Sequence, residues 1–557
     1  MQAARRLYLY LLAGIGLGVL VAGVSLLLTT LFQSLGLGSG EVLAGEQAVR
    51  ERLTLATAMS VVSLPVWLIH WFVAERGVRP GHPDADLERS SDIRGLYFAL
   101  VLGGLLIAMF GSATALIEAL VLSIAGGEPG FRDPAGSLGP LLAAGLAWAY
   151  HIRVRVRDWR AGPIVEAGAF LPRAYLYLAT FAGLFVMLFG IADLLSLLVR
   201  VAIGDSEPVF GGPAPWWSFA LASSVARILV GGATWLGHWW YAGRLLRDPS
   251  DRGASERRSR MRFGFLVAVL VVSAAATIGY LAQALSGLLD AAFGILDNDA
   301  RLLPELVAAV AAATMFAIAW RTHAAWLRAA AVGADGPGGM TAMRLVAYPT
   351  ATVGLAFGAV AIARLVGLLL ESLLGGDRVV AGADTTRELL ADFLPYALLG
   401  VAAWMWQWAG ITRARAERPL DEGASTVRRA ILLIVLAASI LAGVAALGVI
   451  LYRLFGALFG VEPSGDAILD LSTPLGTLAV AAAVAVYHGQ LLRADGSARE
   501  TAAKADVAAE PVPGREVRMV LSVPPDADPA EIERIRRAME AQLPEGYRLR
   551  DDDRRLS

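Results

Sequence analysis

Five of the six histidines in this 557-residue chain recur at one position of a repeated pattern. Imidazole is the side chain that titrates nearest neutral pH, and it is also a common metal ligand. The positions are spaced by 81, 87, 85, 84 and 81 residues and are His70, His151, His238, His323, Gln407 and His488. A tryptophan lies three residues before five of them, at Trp67, Trp148, Trp235, Trp320 and Trp404. Residues three apart share a helix face, so the pattern predicts a repeated indole–imidazole pair.

Three kinds of chemistry fit this pair. The first is anchoring, because tryptophan and tyrosine are enriched where membrane helices meet water and an imidazole there can bond a neighbouring helix or a lipid headgroup. The second is a ring of imidazoles that senses pH or relays protons. The third is haem binding by two opposed histidines, although the neighbouring tryptophan would crowd a porphyrin. The sixth histidine, His82, is predicted to lie in a loop.

A second set of candidates consists of polar side chains inside apolar runs, where ionisable residues are suspected of function. They are Glu118, Asp193, Arg227, Gln283, Arg364 and Arg453. We predict that Asp193 pairs with Arg227, and that Arg364 shares a helix face with Glu371. Such charges either lock helices together or line a polar path that opens on the outer side.

The elements that must position these residues are membrane helices. The chain is 56% hydrophobic and 17% charged, whereas soluble proteins contain about 45–50% apolar and about 25% charged residues. Its apolar residues are concentrated in twelve runs, each long enough to cross a bilayer. The predicted fold is therefore an all-α polytopic membrane protein with twelve transmembrane helices. Abundant small residues, including a glycine that recurs at Gly23, Gly111, Gly190, Gly279 and Gly358, would allow close helix packing.

Arginine counts predict the orientation. Six alternate connecting segments, which include the N-terminus, hold 26 arginines, and the other six hold 6. The positive-inside rule then places both termini on the cytoplasmic side of a bacterial inner membrane. The net charge of −1 gives no reason to expect a nucleic-acid partner. The expected partner is the lipid bilayer, because the apolar runs are long enough to cross it. The lack of cysteine excludes disulfides, thiolate catalysis and thiolate metal sites.

The chain also repeats at the starts of the odd-numbered helices. Arg6 to Tyr10 (RLYLY) recurs as Arg94 to Tyr97 and as Arg173 to Tyr177, and it weakens to Arg262, then Arg344 with Tyr348, and finally Arg429 alone. The combination R-x-L-Y-x-Y, a long apolar run and W-x-x-H-W resembles a bacterial family of multi-pass membrane domains of unknown function, in which such hairpins come in tandem. The resemblance covers about residues 5–495, although repeat six lacks the tryptophan and repeat five the histidine. The family has no established activity, so the resemblance implies no catalytic residues.

We therefore predict six tandem two-helix hairpins in a membrane domain over residues 1–495. The repeats lie near residues 5–90, 91–165, 172–259, 260–340, 341–425 and 426–495. A linker over 496–515 leads to a small cytoplasmic α+β tail over 516–557. In this β-α-β-like tail, residues 516–523 alternate like a strand, Asp528 and Glu531 cap a helix over 531–543, and residues 547–550 form a second strand. Such a tail is expected to dock on the membrane domain, self-associate or bind a cytoplasmic protein partner.

No catalytic or nucleotide-binding motif is present, so we expect no enzyme, and we expect no cofactor apart from the haem alternative. Three functions stay open. A permease or channel-like protein for a small solute or ion requires a continuous polar cavity. A non-catalytic membrane scaffold or signalling protein requires paired charges in a dry core. A haem-binding membrane redox protein requires ligating histidines.

Overall fold

The computed structural model is all-α throughout the part of the chain that it describes. It describes residues 2–37, 45–79, 81–125, 134–161, 166–203, 216–295, 302–332, 338–374, 383–459, 469–509 and 528–541. These residues form sixteen helices: α1 (Gln2–Ser34), α2 (Gly45–Arg76), α3 (Ala85–Arg89), α4 (Asp92–Ile124), α5 (Pro134–Ala161), α6 (Glu166–Ile203), α7 (Trp216–Leu246), α8 (Asp251–Arg257), α9 (Arg260–Phe293), α10 (Leu302–Val332), α11 (Gly339–Leu374), α12 (Ala383–Glu417), α13 (Pro419–Ala424), α14 (Thr426–Leu458), α15 (Leu469–Ala509) and α16 (Pro529–Ala541).

Twelve of these helices are long, and each of them coincides with one of the twelve predicted apolar runs. Eleven helices of the described residues are long and apolar enough to cross a membrane. The remaining long helix is α5, whose last ten residues include four arginines. The helices are long because their leucine, alanine and valine residues favour a conformation that satisfies the backbone internally when water is excluded. The chain thus has the helices of a membrane protein.

The long helices pack as pairs of sequence neighbours. The most extensive contacts join α1 with α2, α4 with α5, α6 with α7, α9 with α10, and α11 with α12. A second level of packing joins one hairpin to the next, as α1 contacts α5, α6 contacts α10, and α11 contacts α14. We call these groups of four long helices unit A (α1, α2, α4, α5), unit B (α6, α7, α9, α10) and unit C (α11, α12, α14, α15).

Each unit also packs on the next one through the first helix of its second hairpin. Helix α4 of unit A contacts α6 and α7 of unit B, and α9 of unit B contacts α11 and α12 of unit C. Three short helices, α3, α8 and α13, connect the two hairpins of units A, B and C, respectively. They lie at the arginine-rich ends of the long helices, in segments that the sequence indicated only as polar connectors.

Glycine allows the backbones within a hairpin to approach closely. A Cβ atom added at Gly231 of α7 would lie 2.6 Å from the backbone nitrogen of Met187 in α6, and one added at Gly183 would lie 2.6 Å from that of Trp235. Of the recurring glycines, those in first hairpins are in such contacts, whereas Gly111 and Gly279 have nothing within 4 Å of an added Cβ. Glycines of second hairpins approach the first helix of their unit equally closely, since a Cβ added at Gly139 of α5 would lie 2.6 Å from the backbone oxygen of Ser25 in α1.

The chain divides into two compact parts, residues Met1–Ala498 and residues Arg499–Ser557. Within the second, the helix that the sequence predicted over 531–543 is α16 (Pro529–Ala541). Helix α15 continues to Ala509, so the first part of the predicted linker is helical. The predicted strands over 516–523 and 547–550 lie outside the described residues.

The glycine contact in unit B makes a testable prediction. Gly231→Ala is expected to lower the free energy of unfolding by about 1–3 kcal/mol, because the added methyl group must push the backbones of α6 and α7 apart. Thermal unfolding of the detergent-solubilised protein measures this change. Gly237→Ala on the same helix is the matched control, since nothing lies within 4 Å of its Cβ. Equal stability of the two variants would contradict the prediction.

Candidate functional site

The most regular polar feature of the structure is a contact between a glutamate on each short helix, half-buried at Glu88 and buried at Glu256 and Glu422, and two residues of the first long helix of the same unit. We call each set an Arg–Tyr–Glu clamp. The three clamps are Arg6–Tyr10–Glu88, Arg173–Tyr177–Glu256 and Arg344–Tyr348–Glu422.

The three clamps use the same atoms. In each, the arginine Nε donates to glutamate Oε2, at 2.6, 2.8 and 2.8 Å in chain order. The tyrosine hydroxyl donates to Oε1, at 3.1, 2.5 and 2.7 Å. Arginine and tyrosine are four residues apart, so they project from one face of a helix and can grip both carboxylate oxygens. The carboxylates of Glu256 and Glu422 are almost fully buried, and a buried charge needs such partners.

A second arginine, at the start of the second hairpin, extends the clamps of units A and C. Arg94 is fully buried and donates to the hydroxyl of Tyr10 at 2.8 Å, to Asp158 at 2.6 Å and to Glu75 at 2.7 Å. Arg428 likewise donates to Tyr348 at 3.0 Å and to Asp495 at 2.6 Å. These arginines tie the first helix of the unit to the last one. The sequence pointed to Arg429 at this position, but Arg429 is exposed and its neighbour Arg428 is the buried equivalent.

The recurrent histidines make local bonds that fix their tautomer. Nδ1 of His70, His151, His238, His323 and His488 lies 2.7–2.8 Å from the backbone carbonyl oxygen four residues earlier. A carbonyl can only accept, so Nδ1 carries the proton and Nε2 is left as an acceptor.

In three repeats the hydroxyl of a tyrosine on the partner helix donates a hydrogen bond to this Nε2. The Nε2 to hydroxyl distances are 3.4 Å for His70 and Tyr8, 3.0 Å for His151 and Tyr97, and 3.1 Å for His238 and Tyr175. The pattern fails where the tyrosine is replaced. Phe265 stands opposite His323, whose Nε2 is buried with no partner among the described residues. His70, His151 and His238 thus join two helices through a hydrogen bond, and a haem iron at any of these three would have to displace the tyrosine.

The tryptophan that precedes the second histidine of a unit contacts the following unit. Nε1 of Trp148 donates to Tyr175 of unit B at 2.9 Å, and Nε1 of Trp320 donates to Thr350 of unit C at 3.2 Å. Unit C has no following unit in the described chain, and the equivalent residue there is Ala485. Repeat six, which lacks the tryptophan, is thus also the repeat that no further unit follows among the described residues.

The tryptophans of the first hairpins behave differently. Nε1 of Trp235 and Trp404 is buried without a hydrogen-bond partner in the described residues. A tryptophan directly after the histidine position is bonded instead: Trp71 donates to Tyr150 at 2.7 Å, and Trp408 donates to Tyr487 at 2.6 Å. Hence the two tryptophans of W-x-x-H-W have separate roles, and the second one links the two hairpins of its unit.

The polar residues that were predicted inside apolar runs lie on six different helices, and the structure brings two of them into contact. Nη1 of Arg227 donates to Asp193 at 2.5 Å, across the α6–α7 hairpin. Arg364 contacts Thr473 of α15 at 3.4 Å, and Glu371 accepts from Ser472 of the same helix, so both residues of the predicted shared face bond to α15. The other members of the set are Glu118, buried on α4, Gln283, exposed on α9, and Arg453, half-buried on α14.

The described residues contain no group of three or more histidine, aspartate or glutamate side chains that could hold a metal ion. A cleft of about 310 Å³ lies between α11, α12 and α15, and its lining is apolar apart from Trp404, Tyr487 and His488. The six polar candidates are not among its lining residues.

Comparison with protein families gives three matches to one model, the domain of unknown function DUF5671. The matches cover residues 6–150, 173–328 and 344–487, which is more than half of the chain. The chain belongs to the DUF5671 family. Each match spans the four long helices of one unit, so a DUF5671 domain here consists of two hairpins joined by a short helix with its clamp. No curated protein and no solved structure matches the chain.

Sequence reasoning found the arginines and tyrosines of the clamps but missed their shared partner. Glu88, Glu256 and Glu422 lie in the arginine-rich connectors, where a glutamate is expected on the surface. The signal that could have found them is their similar separation from the clamp arginine, which is 82, 83 and 78 residues in chain order.

The tyrosine–histidine bond gives a prediction about the recurrent position. Tyr97→Phe is expected to lower the free energy of unfolding by about 1–3 kcal/mol, because the buried acceptor Nε2 of His151 loses its donor. Tyr8→Phe is the matched control: Tyr8 is exposed and its bond to His70 is long. Chemical unfolding of both variants in detergent measures the difference. A loss in the control as large as in Tyr97→Phe would show that the bond is not the cause.

Proposed function

We propose that this protein is a non-catalytic scaffold or signalling protein of the bacterial cytoplasmic membrane, with twelve membrane-crossing helices and both termini in the cytoplasm. The observation that carries this proposal is the set of three Arg–Tyr–Glu clamps, which hold three short helices in equivalent positions. By the arginine distribution, these helices face the cytoplasm. Three fixed helices on one side of the membrane form a platform that a partner protein can recognise.

The twelfth crossing is α5. Its arginines lie in its last ten residues, and Arg155 and Asp158 there are buried. The apolar part of α5 packs on α1 and α4, as α10 of unit B packs on α6 and α9. A crossing by α5 keeps the arginine-rich connectors of all three units on the same side, which the positive-inside rule requires.

The contacts of the intramembrane polar residues also support a scaffold. Asp193 and Arg227 neutralise each other, and Arg364 and Glu371 each have a hydroxyl partner on α15. Paired charges within a membrane stabilise helix packing. Because each charge is neutralised by its partner, the pair attracts a passing ion less strongly than a lone charge would. The cytoplasmic loops and tail would then be the functional surface.

A permease or channel-like protein is the second candidate, and one observation favours it. The side chains of Asp193 and Arg227 are 44% and 37% exposed, so this ion pair reaches the surface of its hairpin. A charged pair at a helix surface within a membrane is expected to face a water-filled path or another protein.

Flux through liposomes decides between the two candidates. We expect liposomes that contain the purified protein to hold proton, sodium and chloride gradients as long as protein-free liposomes do. Fluorescent dyes inside the liposomes measure the three fluxes. A flux that the wild-type protein supports and that Asp193→Asn reduces at least tenfold would contradict the scaffold and establish the permease.

A further inference from the structure

We propose that unit B binds a phosphate group at the arginine-rich start of α9, where Arg262 lacks the carboxylates that its counterparts contact. The phosphate belongs either to the headgroup of an anionic phospholipid or to free inorganic phosphate. This site is independent of the scaffold role.

The three second-hairpin arginines occupy one structural position. Each lies three residues after a serine that precedes the helix, namely Ser91, Ser259 and Ser425. Arg94 and Arg428 are saturated by carboxylates and by the clamp tyrosine. The equivalent arginine of unit B is Arg262.

Unit B lacks the carboxylates at the positions that serve Arg94. Glu75 lies five residues after His70, and the equivalent residue after His238 is Gly243. Asp158 lies seven residues after His151, as Asp495 does after His488, and the equivalent residue after His323 is Ala330. The carboxylate of this unit that interacts electrostatically with Arg262 is Glu256, whose two oxygens already accept from Arg173 and Tyr177.

Arg262 consequently has poor partners. Its Nη1 lies 3.5 Å from the backbone oxygen of Arg257, at the limit of a hydrogen bond, and its Nε is buried with no acceptor among the described residues. Its guanidinium lies over the ring of the adjacent Phe263, at 5.7 Å, and interacts electrostatically with Tyr177 and Glu256, the two residues already bonded to each other in the clamp. A half-buried guanidinium in this condition has unused donors, and removing a charge from water without a partner is costly.

A second residue at the same place is also unsatisfied. Ser259 is 5% exposed, and its hydroxyl forms no hydrogen bond within the described part of the chain. In unit C the equivalent hydroxyl, that of Ser425, accepts from the backbone N–H of Arg428 at 3.3 Å. Ser259 thus stands at the start of a 34-residue helix without capping it, and the first-turn N–H groups of such a helix favour an anion.

The donor set matches a phosphate. A guanidinium presents parallel N–H groups that fit two phosphate oxygens, and a serine hydroxyl with helix N-terminal amides can serve a third. A carboxylate ligand is a poorer fit, since it offers two oxygens in one plane. The arginine-rich end of α9 is also where the headgroups of the cytoplasmic leaflet would lie, and anionic lipids are concentrated there.

Native mass spectrometry of the full-length protein tests the site, with phosphatidylglycerol, phosphatidylcholine and inorganic phosphate as separate probes. We expect one tightly bound phosphatidylglycerol or one phosphate per chain, and Arg262→Gln is expected to weaken this binding at least tenfold. Tighter binding of phosphatidylglycerol than of inorganic phosphate identifies the lipid as the source, and the reverse identifies the free ion.

Ala330→Asp is the decisive second variant, because it gives Arg262 the internal carboxylate that units A and C possess. It is expected to weaken binding at least tenfold while it raises the melting temperature. Arg260→Gln, an exposed arginine of the same turn, is the control and is expected to bind as the wild type does. The proposal is overturned if the wild type binds neither anion, if Ala330→Asp binds as well as the wild type, or if Arg260→Gln is weakened as much as Arg262→Gln. Should Arg262→Gln fail to fold, Ala330→Asp and the control decide the matter.

Discussion

A buried carboxylate that must be neutralised is the constraint on which the rest of this structure depends. Glu88, Glu256 and Glu422 are largely withdrawn from water on the short helices between the two hairpins of their units, and each is stable there because an arginine and a tyrosine one helical turn apart bind its two oxygens. The contact joins residues about 80 positions apart, so it connects the start of the first hairpin to the short helix that follows that hairpin. It sets the place of the short helix, and with it the start of the second hairpin. In units A and C the second arginine, Arg94 or Arg428, bonds both the clamp tyrosine and a carboxylate of the last helix, and so extends the hydrogen-bond network to that helix.

The three units have diverged from one another in a way that follows from their contacts. Unit A retains both carboxylates around Arg94, unit C retains one around Arg428 and adds Arg415 to it, and unit B has lost both. The clamp itself is present in all three units, whereas the carboxylates around the second arginine differ from unit to unit. The residues that join neighbouring units differ in a similar way. Trp148 and Trp320 each donate a hydrogen bond to the following unit, whereas no further unit follows Ala485 among the described residues. In an array whose units contact only their neighbours, a local difference in one unit has little effect on the others.

Much of the architecture could be predicted from the sequence, because the apolar runs are long and the physical demand on them is simple. A run of that length in a membrane-like environment must be helical, and the regular spacing of the histidine position indicated the hairpins. The pairing of Asp193 with Arg227 could be anticipated for the same reason, since the two helices are sequence neighbours. Three features could not be predicted. The clamp glutamates are in polar connectors, where composition gives no hint of burial. The pairing of two hairpins into a unit depends on contacts between distant helices, such as α1 with α5. The choice of Arg428 over Arg429 depends on helix phase at a helix start, where prediction is least accurate.

The clamp itself is tested most directly by a double-mutant cycle on Arg344 and Glu422, which are both nearly buried and 2.8 Å apart. The free energies of unfolding of Arg344→Gln, Glu422→Gln and the double variant are measured in detergent alongside the wild type. If the clamp holds the unit together, each single variant is strongly destabilised and the coupling energy is at least about 1 kcal/mol, as expected for two groups in direct contact. Additive effects, with a coupling energy near zero, would contradict the account and show that the short helix is held in place by other contacts.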